Sequence, residues 1–221
     1  MSKPLFKRII AFIIDSLIVT IISSAIATLP IFKKYSTKHE EYTEKYTQMI
    51  SEVYKDTSKA SEVLNDNKLR DIAYDLSYSG IYLSVITLLV GAGYFIGFQY
   101  YTGGKTGGKA LMRIEVVSTK SDKLELGQVI KRSLIINNIF IDTISILLIS
   151  FCSKNIYNNL SSYIELVELG LILVTFGMAI YNDEGISLHD KIAGTRVILS
   201  SEKQMLKKKP KEAKVVKEES I

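Results

Sequence analysis

Asp15 is a carboxylate inside an otherwise apolar run, Ile9 to Phe32, and Asp142 repeats that placement in a later run. A charged carboxylate at bilayer depth costs about 2.5–3.5 kcal/mol on insertion scales, so each must face a partner or water rather than lipid. A group so placed can exchange a proton for a cation, which makes both aspartates a candidate ion or proton site. Asn138, Asp142 and Ser145 fall at i, i+4 and i+7 and share one helix face. That stripe offers supporting oxygen ligands, and turned toward Asp15 it would set polar groups against polar groups. Arg8 and Asp15 are too far apart for direct contact, since seven helical residues rise about 10.5 Å. Arg8 therefore needs another partner. Asp190 is one candidate, through a charge-assisted Arg–carboxylate pair. The alternative leaves Arg8 among lipid headgroups and Asp190 capping a turn before Lys191.

Other chemistry is thinly represented. Gly103 and Gly108-Lys109 have the spacing of a phosphate-binding loop, but Ala110 stands where Ser or Thr must hold magnesium. The segment also follows an apolar helix instead of a strand, so a tight glycine turn closing that helix is the better reading. Cys152 is the only cysteine, which excludes internal disulfides and multi-thiolate metal sites. His39 and His189 are expected on opposite sides of the membrane and so share no metal. No histidine lies in a span to serve a nucleophile, and Cys152 has no evident base, so no enzyme, metal or cofactor is expected.

The elements that position these residues are four apolar blocks, at about 9–32, 79–101, 134–152 and 164–181. A span needs about 20 predominantly apolar residues, and all four qualify. The fourth opens with Glu165 and Glu168 and is the weakest. Lysine and arginine set the orientation. Residues 1–8 carry three positive charges and no negative ones, and 102–133 carry seven against three. The N-terminus, the middle loop and the C-terminus are therefore expected in the cytoplasm of a cell membrane. The excess of Lys, Ile, Asn and Tyr resembles the codon bias of an AT-rich bacterium. A cleaved secretory signal at the start is the alternative, though its core would not normally hold Asp15. The net charge of +5 is read as a topology signal, with no nucleic-acid partner. Lys207-Lys208-Lys209 could touch anionic lipid, but a solvated tail is the simpler reading.

Between the spans, 33–78 has helical spacing at Tyr42, Tyr46, Met49 and Ile50, then a turn at 65–67, then Leu69, Ile72 and Leu76. It reads as a helical extracytoplasmic insertion, a packed lid. Met112 to Ser118 reads as a short cytoplasmic strand and Lys120 to Lys123 as a turn. The charged tail 201–221 reads as disordered. Gly93 and Gly97 have the spacing that lets helices approach closely, with Ser23 and Ala27 as a matching strip; homodimerisation through that face is the rival. Two stretches also look duplicated. Arg8 and Arg132 each open a span that carries an aspartate, and Arg113 and Arg196 each follow an even-numbered span. The expected fold is an all-α membrane protein: four transmembrane helices in a domain of residues 1–200, with short strands.

At Arg8, Asp15 and the segment Ser187 to Val197, which holds Asp190, Gly194 and Thr195, the chain resembles the RDD family of membrane proteins. Gly104, Lys105, Thr106, Gly108 and Lys109 resemble that family's Gly-Lys-Thr-x-Gly-Lys loop. Gly107 replaces a frequent proline and Met112 a frequent glycine. The resemblance covers roughly 4–200. It implies an arginine and an aspartate in the first helix and a second aspartate, assigned to Asp190 with Asp142 as competitor. It also implies a bilayer protein for which transport, including sodium/proton exchange, has been proposed. Exchange of a small cation or proton through Asp15 and Asp142, in a dimer, is the leading expectation. A non-transporting scaffold or anchor is the alternative.

Overall fold

The computed structural model describes residues 4–55, 67–182 and 185–202. Three helices are long and apolar enough to cross a membrane: α1 (Leu5–Ala27), α4 (Ile81–Tyr101) and α8 (Lys154–Tyr181). A fourth crossing is available if the bent pair α6 (Leu126–Ile136) and α7 (Ile139–Phe151) counts as one span. Their outer faces are unpartnered aliphatic and aromatic side chains, among them Ile13, Leu17, Ile21, Leu89, Phe151 and Leu173. In a water-soluble fold such faces would be buried, so lipid is the solvent that explains them.

The third apolar run is not the single helix expected over 134–152. It breaks at Asn137–Asn138 into α6 and α7. Asn138 adopts a left-handed conformation, φ 53°, which asparagine tolerates better than other branched or bulky residues. The break takes Asn138 out of the regular i, i+4, i+7 stripe. The fourth helix starts ten residues before the run that announced it, at Lys154. Its first turns are polar enough to escape a hydropathy reading but contain no helix breaker.

The chain divides into two compact units. Of the described residues, one comprises those within Met1–Ile18, Gly91–Asn137 and Leu171–Ile221, and the other those within Val19–Val90 and Asn138–Gly170. In the first, strands β1 (Ile114–Ser118) and β2 (Thr195–Leu199) pair antiparallel, with Val116 opposite Val197. Ile114, Val116 and Val197 pack with Ala11 of α1 into a small apolar core. The strand begins two residues later than Met112, because Met112 still caps the short helix α5 (Gly107–Leu111) and Arg113 turns the chain with a φ of 56°. Glu125 and Gln128 form a reciprocal capping box at the start of α6. Gln128 also donates to the Gly194 carbonyl at 2.9 Å, tying α6 to the turn before β2.

In the second unit, α2 (Lys33–Lys55) and α3 (Asn67–Ser79) form the helical hairpin that the spacing predicts. His39 Nδ1 lies 3.1 Å from the Ser79 hydroxyl, and Tyr35 and His39 pack on Tyr82. Residues 65 and 66 of the expected turn, and the tail 203–221, lie outside the described residues. The glycine pair Gly93 and Gly97 does not make a close helix approach: a Cβ at either position meets nothing within 4 Å. These two glycines instead sit in a π-helical stretch, Gly93–Phe98, that interrupts α4.

Candidate functional site

The helix α9 (Leu188–Ala193) delivers Asp190 to the centre of the first unit, where it is fully buried. Both of its oxygens are taken. Oδ2 accepts from Arg8 of α1 and from the Ser187 hydroxyl at 2.7 Å. Oδ1 accepts from Arg132 of α6 and from the Thr195 hydroxyl at 3.0 Å. Arg8 extends its other nitrogen to the Gly185 carbonyl at 2.6 Å. One carboxylate therefore gathers the start of α1, the middle of α6, the turn before α9 and the first residue of β2. The expected Arg8–Asp190 pair is present. Arg132 is the partner that sequence reasoning missed, although it was visible as the duplicate of Arg8. The two duplicated arginines converge on one aspartate, and the two duplicated strands pair with each other.

His189 stands beside this network. Ser187 spends its proton on Asp190, so His189 Nε2, 2.9 Å away, must be the donor in their contact. Burial first, then the charges of Arg132, Arg8 and Lys109, push the imidazole pKa well down. The ring is therefore neutral, with a bare Nδ1 that has no partner among the described residues.

Asp15 is sealed by a different set. Its Oδ1 accepts from the Tyr94 hydroxyl and from the Gly108 amide, each at 2.7 Å. Its Oδ2 accepts from the Thr106 hydroxyl at 2.5 Å. Lys109 Nζ lies 3.8 Å from the same oxygen. Thr106 is the N-cap of α5, so the loop that mimics a phosphate cradle closes over an internal carboxylate instead. Gly108 is required there: a Cβ would overlap the Ala11 carbonyl of α1. Gly104, at φ 102°, is required for a similar reason, since its Cβ would overlap the Val116 carbonyl. Lys105 contributes its carbonyl to the Thr102 hydroxyl. Gly194, at φ 65°, ends α9 in the left-handed conformation that glycine permits.

Lys109 is the strained member. It donates to Thr106 Oγ1 at 3.2 Å and Gln99 Oε1 at 3.4 Å, both long contacts. Burial, then Arg132, pull its pKa down to about 7, against the attraction of Asp15. Three cations, Arg8, Lys109 and Arg132, thus share a buried region with two carboxylates, and the lysine is the one that can shed its charge.

Asn138, Asp142 and Ser145 belong to the other unit and have their own surroundings. Asn138 donates to Glu168 of α8 at 2.5 Å. Asp142 is exposed and lines a cavity of about 490 Å³ within that unit. Ser145, Ile146 and Ile149 continue the same face of α7 along the cavity wall. Within its own unit, neutral donors from Tyr94, Thr106 and Gly108 occupy both oxygens of Asp15. Among the described residues no cluster of three or more His, Cys, Asp or Glu is placed to hold a metal.

Helices long and apolar enough to cross a membrane, with bare aliphatic faces, define a helical integral membrane protein. The RDD family model matches residues 3–194, and the chain belongs to that family. No curated protein and no solved structure matches the chain.

Proposed function

We propose that the protein takes a small cationic ligand into the cavity beside Asp142 and moves it across the bilayer, while Arg8, Asp15 and Asp190 serve folding. The supporting observation is a contrast between the two intramembrane aspartates. Asp15 already accepts from Tyr94, Thr106 and Gly108, whereas the Asp142 side chain is exposed on the wall of a cavity. A carboxylate that must bind and release a cation needs access, and one bonded on both oxygens by fixed donors has none to offer. On this reading Asp190, the partner of Arg8, is the family's second aspartate.

The domain of residues 1–200 crosses the membrane four times, with α6 and α7 as one bent span. The strands and both termini face the cytoplasm, and the α2–α3 hairpin lies outside. This orientation rests on the lysine and arginine bias of the loops. Four spans are few for a carrier, so a homodimer is the working unit. No enzymatic step is proposed. A second reading, a non-transporting scaffold, is favoured by the saturation of Asp190, which suits a fixed latch.

Proton-driven uptake of sodium and of methylammonium, each tested in everted vesicles and normalised to inserted protein, separates these readings. Asp142→Asn should lower uptake by about tenfold or more, the loss of roughly 1.4 kcal/mol of ion stabilisation. Asp15→Asn should insert less well but carry wild-type flux per molecule. Equal uptake by wild type and Asp142→Asn would end the transport reading and leave the scaffold.

A further inference from the structure

The Asp142 cavity differs from a site for a bare metal cation in two respects. Its volume, about 490 Å³, falls in the range of about 300–1,000 Å³ typical of small organic ligands. A dehydrated monovalent ion is held by a closed shell of oxygens that replaces its water, and a space this large leaves most of that shell missing. The lining is also divided by chemistry. Along α7 it passes from polar to apolar, Asp142 and Ser145 first and then Ile146 and Ile149. From α4 come Ser84 and Thr87 beside Ile81 and Leu83, and α8 adds the aromatic ring of Tyr157.

The electrostatics select the sign of the ligand. Among the described lining residues Asp142 is the one carboxylate and His39, whose Nδ1 meets the Ser79 hydroxyl, the one basic group, and Glu168 acts on Asp142 from within electrostatic range. The nearby cation Lys154 is committed to Asp71 at 2.8 Å and to the face of Tyr74. An anion would meet repulsion here, and a neutral molecule would leave the carboxylate unmatched. A positively charged nitrogen would be matched by Asp142.

We propose that this cavity binds an organic ammonium compound with an apolar body, its nitrogen at Asp142 and Ser145 and its carbon portion against Leu83, Ile146 and Ile149. This names the ligand class of the transport reading above and rests on it for the site. It does not rest on flux, because binding can be measured alone.

Phenethylamine is a suitable probe, with 2-phenylethanol as its uncharged counterpart and sodium chloride as the bare-cation control. Calorimetric titration of the full chain in detergent micelles, at constant ionic strength, reads binding directly. Saturable binding of phenethylamine is expected, weakened at least about tenfold for 2-phenylethanol. Asp142→Asn should weaken the amine by a similar factor and leave 2-phenylethanol unchanged. Ile149→Phe, which fills the apolar end without touching charge, should weaken both. Absence of saturable amine binding by the folded wild type would overturn the proposal. So would equal binding of amine and alcohol, or amine binding untouched by both variants. Saturable sodium binding that Asp142→Asn abolishes, with no amine binding, would overturn the ammonium class yet keep cation transport. Amine binding that depends on Asp142 without any flux would uphold the ligand class and overturn transport.

Discussion

Asp190→Ala should be among the most damaging single substitutions in this protein, lowering stability by about 3–5 kcal/mol, the range for breaking a buried ion pair. The carboxylate is the shared counter-charge of Arg8 and Arg132 and is fully buried. Removing it leaves two guanidinium groups close together in a region that already holds Lys109. Ser187 and Thr195 lose their acceptor as well. Ser187→Ala removes only one neutral donor to the same carboxylate and should cost about 0.5–1.5 kcal/mol. Unfolding by graded addition of SDS to the protein in mild detergent compares the two. Pairing Asp190→Leu with Arg8→Met and Arg132→Met should recover a large part of the loss, because the damage comes from stranded charge. Equal, small effects of Asp190→Ala and Ser187→Ala would show that the latch carries little stability.

Gly108→Ala should cost about 3 kcal/mol, the upper part of the usual range for overpacking. The added methyl would overlap the Ala11 carbonyl and come within 3.0 Å of the Asp15 carboxyl carbon. The first obstacle is backbone and the second a carboxyl held by three hydrogen bonds, so relief requires α5 to back away from α1. That movement would also lengthen the Gly108 amide bond to Asp15, now 2.7 Å. Gly93→Ala and Gly97→Ala are the controls. A Cβ at either site meets nothing within 4 Å, and alanine is the better helix former by up to about 1 kcal/mol. They should be neutral or slightly stabilising in the same SDS titration. A Gly97→Ala loss equal to that of Gly108→Ala would place the tight helix contact where the glycine spacing suggested it.

These contrasts explain what the sequence could reveal. The spans were legible because burial in lipid leaves a local signature, about 20 apolar residues in a row. The antiparallel strands and the Arg8–Asp190 bond were approachable because the same residue types recur at the start of similar segments. The partners of Asp15 were not. Tyr94, Thr106 and the Gly108 amide come from a π-helical stretch and a short loop helix, and an amide donor has no side-chain signal at all. The assumption that a buried acid seeks other strongly polar residues pointed to Asn138, Asp142 and Ser145 instead. The left-handed break at Asn138 likewise leaves no signal in an apolar run. Arg132 was overlooked as a ligand of Asp190 because positive charge at a helix end is ordinarily a topology signal.

On the proposed reading, water reaches the cavity face of α7 but not the pocket around Asp15. Thiol labelling tests it directly. In a Cys152→Ser background, Ser145→Cys reports on the cavity and Thr106→Cys on the Asp15 pocket, where Thr106 is 1% exposed. A charged, water-soluble thiosulfonate reagent is applied to folded protein in membrane fragments open on both sides. Fast labelling at Ser145→Cys and none at Thr106→Cys until SDS is added is the predicted result. Prompt labelling at Thr106→Cys with protection at Ser145→Cys would contradict the account and return Asp15 to the role of ion site.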